Sequence, residues 1–493
     1  MSQRHVAVIG GGFAGLSAAT DLASKGYKVT LLEKNDTTGG RGRLMKAEGF
    51  SFDMGPSWYW MPDVFEAYFR RFGKDVNQYY KLVRLDPSYR VFLEGGSSLD
   101  VPASLSEFRK MLETLEPGCG NSFDQFLNEA KTKYEVSMSD FVWKPSLSWS
   151  EFLSPKLLKG ALQLRLFSSL SAHVRKHFSD SRIIQLLEFP VLFLGAKPEK
   201  TPAMYSLMNY ADIALGTWYP VGGMSKIAEA MTQLAIELGV TIETNANAEE
   251  IQVHGNTAKS IVVNGVVKFF DAVIAAADYH HVEQKLLKPK YRSYSVDYWE
   301  RRTMSPSSLL FYLGIKGKVK GLLHHNLFFD RSFDDHAVAI YDKPNWPKDP
   351  LFYACLTSKS DDTVAPEGCE NLFLLIPVAP GLKSDGAARE EYLQECLQRI
   401  KKYTGEDLSD RILFKKSYAH EEFIQDYNAF KGNAYGLANT LKQTAVLKPR
   451  MRSAKVENLF FAGQLTVPGP GVPPSLISGC IASEELHKYF NKN

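Results

Sequence analysis

Cysteine is scarce in this chain of 493 residues: Cys119, Cys355, Cys369, Cys396 and Cys480 are scattered, and no two form a Cys-x-x-Cys pair. So sparse and odd a set excludes a disulfide framework and points to a reducing compartment. Long apolar runs are missing too. No stretch reaches the roughly 18 apolar residues that a membrane-spanning helix needs. The longest run, from Asn371 to Val378, is strand-length and is interrupted by Pro377. Charge of one sign is not in excess. Lys and Arg number 58 against 55 Asp and Glu, a net charge of +3, so no nucleic-acid partner is expected. There is no His-Glu-x-x-His, and the pairs His280–His281 and His324–His325 stand apart from any cysteine cluster in sequence, so no metal site is expected. A strand-like run begins at Val6, which leaves no room for a signal peptide ahead of it.

What is present is ordinary for a globular protein: 44% hydrophobic and 23% charged residues. A chain of this length buries about three quarters of its unfolded surface, so core size is no constraint. Aromatic residues reach 12%, as expected where a large apolar ligand has to be covered.

The first forty residues carry the sharpest pattern. Val6-Ala7-Val8-Ile9 reads as a buried parallel strand. It runs into Gly10-Gly11-Gly12-Phe13-Ala14-Gly15, then a helix rich in small residues up to Gly26, then a second strand, Lys28–Leu32, that ends at Glu33. This is a βαβ unit for a dinucleotide. Gly10 permits the tight turn, Gly12 lets a pyrophosphate approach the backbone, and Gly15 lets the helix lie close to the strand. The helix N-terminus presents free N–H groups to phosphate. Glu33 can accept from ribose hydroxyls and disfavours a 2′-phosphate. Gly39-Gly40-Arg41-Gly42-Arg43 follows, with glycines for close approach and an arginine fork suited to phosphate.

This succession, continued by Phe52-Asp53-Met54-Gly55-Pro56-Ser57 and Trp58-Tyr59-Trp60, resembles the flavin-containing amine oxidase superfamily, in its carotenoid desaturase branch. Later segments extend the resemblance: Gly216–Met224, then a helix from Ser225 to Leu238; Thr241–Ile251; a hairpin turning at Asn264-Gly265; the strand Asp271–Asp278; and Val456–Gln464 followed by Pro468-Gly-Pro-Gly-Val-Pro473 and a helix from Ser475 to Leu486. Pro474 stands where the family has a glycine.

The resemblance implies an α/β fold, with a Rossmann-like FAD-binding domain of the amine oxidase and GDP-dissociation-inhibitor type and an inserted α+β substrate domain. It places the discontinuous FAD domain at residues 1–105, 215–290 and 425–493. A helical insertion at 106–214 would contact substrate and membrane, and a substrate sheet would occupy 291–424. FAD would be held by Gly10, Gly12, Phe13, Ala14, Gly15, Glu33, Lys34, Gly40, Arg41, Gly55, Pro56, Ser57, Ala248, Gly463, Gln464, Val472 and Pro473. The implied activity is phytoene desaturation, by hydride transfer from an allylic C–H to flavin, with no identifiable base. Desaturation of a hydroxylated or C30 carotenoid, carotenoid oxygenation, amine oxidation and non-enzymatic prenyl binding stay open.

Lys144, Lys156, Lys159, Arg165, Arg175 and Lys176 outnumber Glu151 and Asp180 in residues 141–180, and a helix opening at Pro155 would be amphipathic and basic. Such a helix suits an anionic membrane surface, or else packs on the core with a solvated face. With an apolar carotenoid as substrate, it places the protein in the cytoplasm at the inner face of the membrane. Trp58, Tyr59 and Trp60 are candidates to line an apolar tunnel. Cys480 reads as a small buried residue, and His173 with His177 as structural histidines.

Overall fold

The computed structural model describes residues 3–152, 168–194 and 197–492. The apolar run after Arg4 is the centre of a five-stranded, wholly parallel sheet. Its strands are β1 (His5–Ile9), β2 (Lys28–Leu32), β3 (Thr241–Glu243), β4 (Ala272–Ala275) and β5 (Leu459–Phe461), in the order β5-β4-β1-β2-β3. Val8 pairs with Ile274 on one side and Leu31 on the other. Parallel pairing needs crossovers, and α1 (Phe13–Ser24) makes the first. Every residue of α1 from Phe13 to Leu22 is buried, because α2 (Ser225–Glu237) and α3 (Val472–Lys492) pack against it as well as the sheet. The α1–α3 contact is backbone to backbone. A Cβ on Gly479 would collide with the Ala14 carbonyl oxygen.

One helix limit is refined. The last helix begins at Val472 rather than Ser475, with Pro473 and Pro474 inside its first turn. Proline is tolerated there because those N–H groups have no intrahelical acceptor. The segment that begins at Thr241 forms two strands, Thr241–Glu243 and Ala248–His254, separated at Asn245 with φ +51°. The hairpin turn at Asn264-Gly265 forms as expected, with both residues at positive φ between antiparallel strands Thr257–Val263 and Val266–Phe269.

A second sheet of seven strands runs in the order 412–418, 307–316, 369–378, 352–355, 325–329, 89–93, 98–101. All neighbours are antiparallel except 325–329 with 89–93. Its central strands alternate between two cores. Leu309, Phe311 and Leu313 pack on the helix Gly386–Thr404 through Leu393, Leu397 and Ile400. Leu310, Tyr312, Phe373 and Leu375 face the main core shared with α1. Strands 89–93 and 98–101 thus belong to this sheet although they precede residue 105.

Helices Leu105–Leu115, Gly120–Val136, Leu170–Arg175 and Ser181–Glu188 lie in sequence between strand 98–101 of the second sheet and β3 of the first. The basic amphipathic helix expected from Pro155 to Arg165 lies outside the described residues. Among those described, no helix is long and apolar enough to cross a membrane.

Candidate flavin site and apolar cavity

The carboxyl ends of β1, β2 and β4 open onto one cleft, the place where parallel sheets bind ligands. Gly10, Gly12, Phe13 and Ala14 line it after β1, and Glu33 and Lys34 line it after β2. Gly40, Arg41, Ala248, Gly463 and Gln464 complete the predicted part of the wall. The other predicted residues stand outside the wall. Gly15 is a packing position, where a Cβ would collide with the Gly10 carbonyl oxygen. A Cβ on Gly55 would meet the Arg41 carbonyl oxygen at 2.7 Å, and Pro56 lies over Gly42. Ser57 lies near the Tyr353 hydroxyl. Val472 and Pro473 open α3.

Gly10 turns the chain at φ +102° while its N–H donates to the Leu32 carbonyl at 2.8 Å. Gly12 differs from both Gly10 and Gly15. A Cβ there would meet nothing nearer than the Gly40 Cα at 3.9 Å, so its face is open to the cleft. Glu33 is buried at the end of β2. Its Oε2 accepts from the Gly11 N–H at 2.7 Å, and its Oε1 accepts from the backbone and side-chain N–H of Asn35 at 2.8 Å. A carboxylate so pinned keeps lone pairs for a further donor.

Arg41 forms the opposite end. Its Nη2 donates to the Asn433 carbonyl at 3.2 Å, and its guanidinium lies 5.1 Å from the Tyr427 ring centroid. Gln464, with its amide oxygen turned inward, accepts from Arg41 at 3.1 Å. The Nε is shielded from solvent and has no partner. Neighbouring Arg43 takes Asp426 at 2.9 Å, whereas no carboxylate pairs with Arg41 among the described residues. Burial pulls the Arg41 guanidinium below its ordinary range. Asp278, also in the wall, accepts from the N–H groups of His281 and Phe430, and burial raises its carboxyl to about 6.

The cleft therefore offers a fixed carboxylate at one end, open glycine backbone at the head of a helix, and a half-buried guanidinium with no ion-pair partner among the described residues. This donor set fits a dinucleotide: hydroxyls for the first, a diphosphate for the others. The model of the family described as flavin containing amine oxidoreductase matches residues 13–487. The chain belongs to that family. It is 43% identical to a carotenoid 3,4-desaturase from Haloarcula japonica, over 99% of this chain and 98% of that one. It is 32% identical to a zeta-carotene-forming phytoene desaturase from Myxococcus xanthus, over 98% and 94% of the two chains. Among solved structures, an oxidoreductase from Methanosarcina mazei superposes with a TM-score of 0.66 at 15% identity, covering 98% of this chain and all of that one. A Rab GDI from Plasmodium falciparum does so with 0.57 at 11%, covering 99% and 98%. These last two share the fold. As a member of the flavin family, the chain is an FAD-dependent oxidoreductase with the Rossmann-like α/β architecture expected.

A second cavity lies against the seven-stranded sheet. Phe189, Leu327, Phe329, Ile340, Leu351 and Tyr353 are among the residues that wall it. Its one histidine, His336, is satisfied at both nitrogens, accepting from the Leu351 N–H at 2.9 Å and donating to the Pro377 carbonyl at 2.7 Å. Burial holds it neutral, at about 4. Trp58, expected in a tunnel wall, stands behind it, stacked on His325 at 4.1 Å and 5.6 Å from Tyr353. Trp60 donates to Thr217, and Tyr59 hydrogen-bonds Tyr80.

Sequence reasoning missed Asp278, which lies three residues beyond the end of β4, and Asn433, whose segment has no motif. It also missed that Asp53 accepts from the N–H groups of Met224 and Ser225 at 2.8 and 2.9 Å, so that two separate motifs meet at the head of α2. Where no metal site was expected, the fold brings His324, His325 and Cys355 together, with potential ligand atoms within 4.8 Å of one another. His325 is already bonded there to the Tyr353 hydroxyl at 2.6 Å. Cys480 is buried, as expected, with its thiol 3.1 Å from the Ser17 hydroxyl.

Proposed function

We propose that this enzyme is a carotenoid desaturase that holds FAD in the first cleft and a long apolar polyene in the second cavity. The uncharged wall of that cavity carries the reading. A polyene has no group to hydrogen-bond, so shape and apolar contact must recognise it. The wall meets that need by keeping His336 neutral and by raising Tyr353 and Tyr435 above the ordinary phenol range.

Bound FAD supplies the hydride acceptor for an allylic C–H. The protein's part is to bind and orient. Glu33 takes the ribose hydroxyls, Gly12 and the head of α1 take the diphosphate, and Arg41 offsets its charge. Gly40, Phe13, Ala14, Lys34, Ala248, Gly463 and Gln464 shape the wall, while Gly15, Gly55, Pro56, Ser57, Val472 and Pro473 support it from behind. In this reading the FAD domain uses residues 1–88, 215–290 and 425–493, since the strand from Tyr89 pairs in the seven-stranded sheet. The helical insertion carries the membrane contact.

Two substrates compete. Phytoene is the one the motifs suggest, and the 43% identity to a carotenoid 3,4-desaturase favours desaturation of a later, hydroxylated carotenoid equally. Pigment profiling separates them. The chain is expressed in one host that accumulates phytoene and in another that accumulates a hydroxylated carotenoid. A red-shifted polyene in the first supports phytoene, and a red-shifted polyene only in the second supports 3,4-desaturation. Unchanged pigments in both, from flavin-loaded protein, would overturn the carotenoid reading. Flotation with anionic liposomes tests the membrane contact, and protein left wholly at the bottom of the gradient would reject it.

A further inference from the structure

The segment from Asn433 to Pro449 runs from the Arg41 end of the cleft to the loop that precedes α3. That loop, Pro468-Gly-Pro-Gly471, is flanked on both sides by cleft-lining residues, Gly463 to Leu465 before it and Ser475 after it. Lys448 lies beneath it, only 3% exposed. Its ammonium has no hydrogen-bond partner, and the amide oxygen of Asn439, equally buried, has none either. Both side chains converge on Gly469. A Cβ there would stand 2.8 Å from Lys448 Nζ and 3.1 Å from Asn439 Oδ1. The Lys448 backbone is held from both sides: its own N–H donates to the Ala445 carbonyl, and the next carbonyl, of Pro449, accepts from the Thr466 hydroxyl.

A buried cation without a partner destabilises a fold, so stability does not explain it. No carboxylate opposes it among the described residues, and burial alone lowers it to about 7, which leaves the ammonium available near neutrality. We propose that Lys448 is the counter-cation of the reduced flavin, steadied by Asn439 and roofed by the Pro468–Gly471 loop. The proposal rests on the FAD reading of the cleft. In desaturation the substrate C–H bond breaks with its electron pair. The hydride passes to the flavin, and the neighbouring carbon releases a proton as the C=C bond forms. The flavin side has then gained two electrons, one hydrogen and one negative charge, and a fixed cation nearby favours that state.

The test is the two-electron midpoint potential of the purified holoenzyme, by dye equilibration, in wild type, Lys448→Met and Lys448→Arg. Lys448→Met is expected to lower the reduction equilibrium about tenfold, or roughly 30 mV for two electrons. Lys448→Arg is expected to keep the wild-type value. The apoprotein of Lys448→Met is expected to melt at or above wild type, since a buried unpaired charge has been removed. A wild-type potential in fully flavin-loaded Lys448→Met overturns the proposal. So does a Lys448→Met chain that fails to fold or melts lower, because it assigns the lysine a structural role. A wild-type protein that takes up no FAD overturns the cofactor reading instead.

Discussion

Glycines of one motif do different work, and their substitution separates cofactor from fold. Gly15 has no room for a methyl group, so Gly15→Ala is expected to cost several kcal/mol of stability. Gly12 has room and an ordinary negative φ of −76°, so nothing in the protein opposes a side chain there. Gly12→Ala is expected to leave apoprotein melting within about 1 °C of wild type, and to weaken FAD at least tenfold, about 1.4 kcal/mol. Thermal melting of apoprotein and flavin titration read the two effects separately. Equal loss of stability in both variants would show that Gly12 is a packing residue. Glu33 was legible as an acceptor because it follows a short parallel strand. Asp278 does the same after β4, but its place opposite Arg41 depends on strands far apart in the chain.

At the level of elements, Asp53 ties the short antiparallel pair Leu44–Ala47 and Phe50–Asp53 to the head of α2. Burial raises its carboxyl from the ordinary range near 4 to about 6, with the two backbone donors opposing. The sign follows. Between those values the folded protein keeps a proton that the unfolded chain has released. Asp53 therefore makes stability fall as pH rises from about 4 to 6, and adds no further slope above. Asp53→Asn keeps an accepting oxygen and cannot ionise. The stability difference between wild type and variant is expected to move against wild type by about 2–3 kcal/mol over that window. Denaturant unfolding of both apoproteins at pH 4, 5, 6 and 7 measures it, and a difference independent of pH would refute the assignment. Helix limits were legible where a capping signal was local. The start of α3 was not, because two prolines read as loop although the first turn of a helix accepts them.

On the scale of the whole molecule, a cleft lies at the carboxyl ends of one sheet and an apolar cavity lies against another. Ala337 lines that cavity, where its methyl leaves space for a ligand. Ala337→Trp is expected to lower carotenoid turnover at least tenfold while FAD content stays near wild type. Overpacking should cost about 1–3 kcal/mol of stability. Turnover unchanged in a flavin-loaded variant would place the substrate elsewhere. The sequence by itself determined the dinucleotide unit, the cofactor class and the family, because a βαβ turn brings its phosphate-binding atoms together within some thirty consecutive residues. Only the tertiary structure decided which predicted residues face the cleft and which support it. It also decided that Asp278 joins the cleft wall, that the Asn433 carbonyl holds Arg41, and that Trp58 stacks on His325 beside Tyr353. Such contacts join residues hundreds of positions apart, and packing between sheets and helices, which has no period along the chain, sets them.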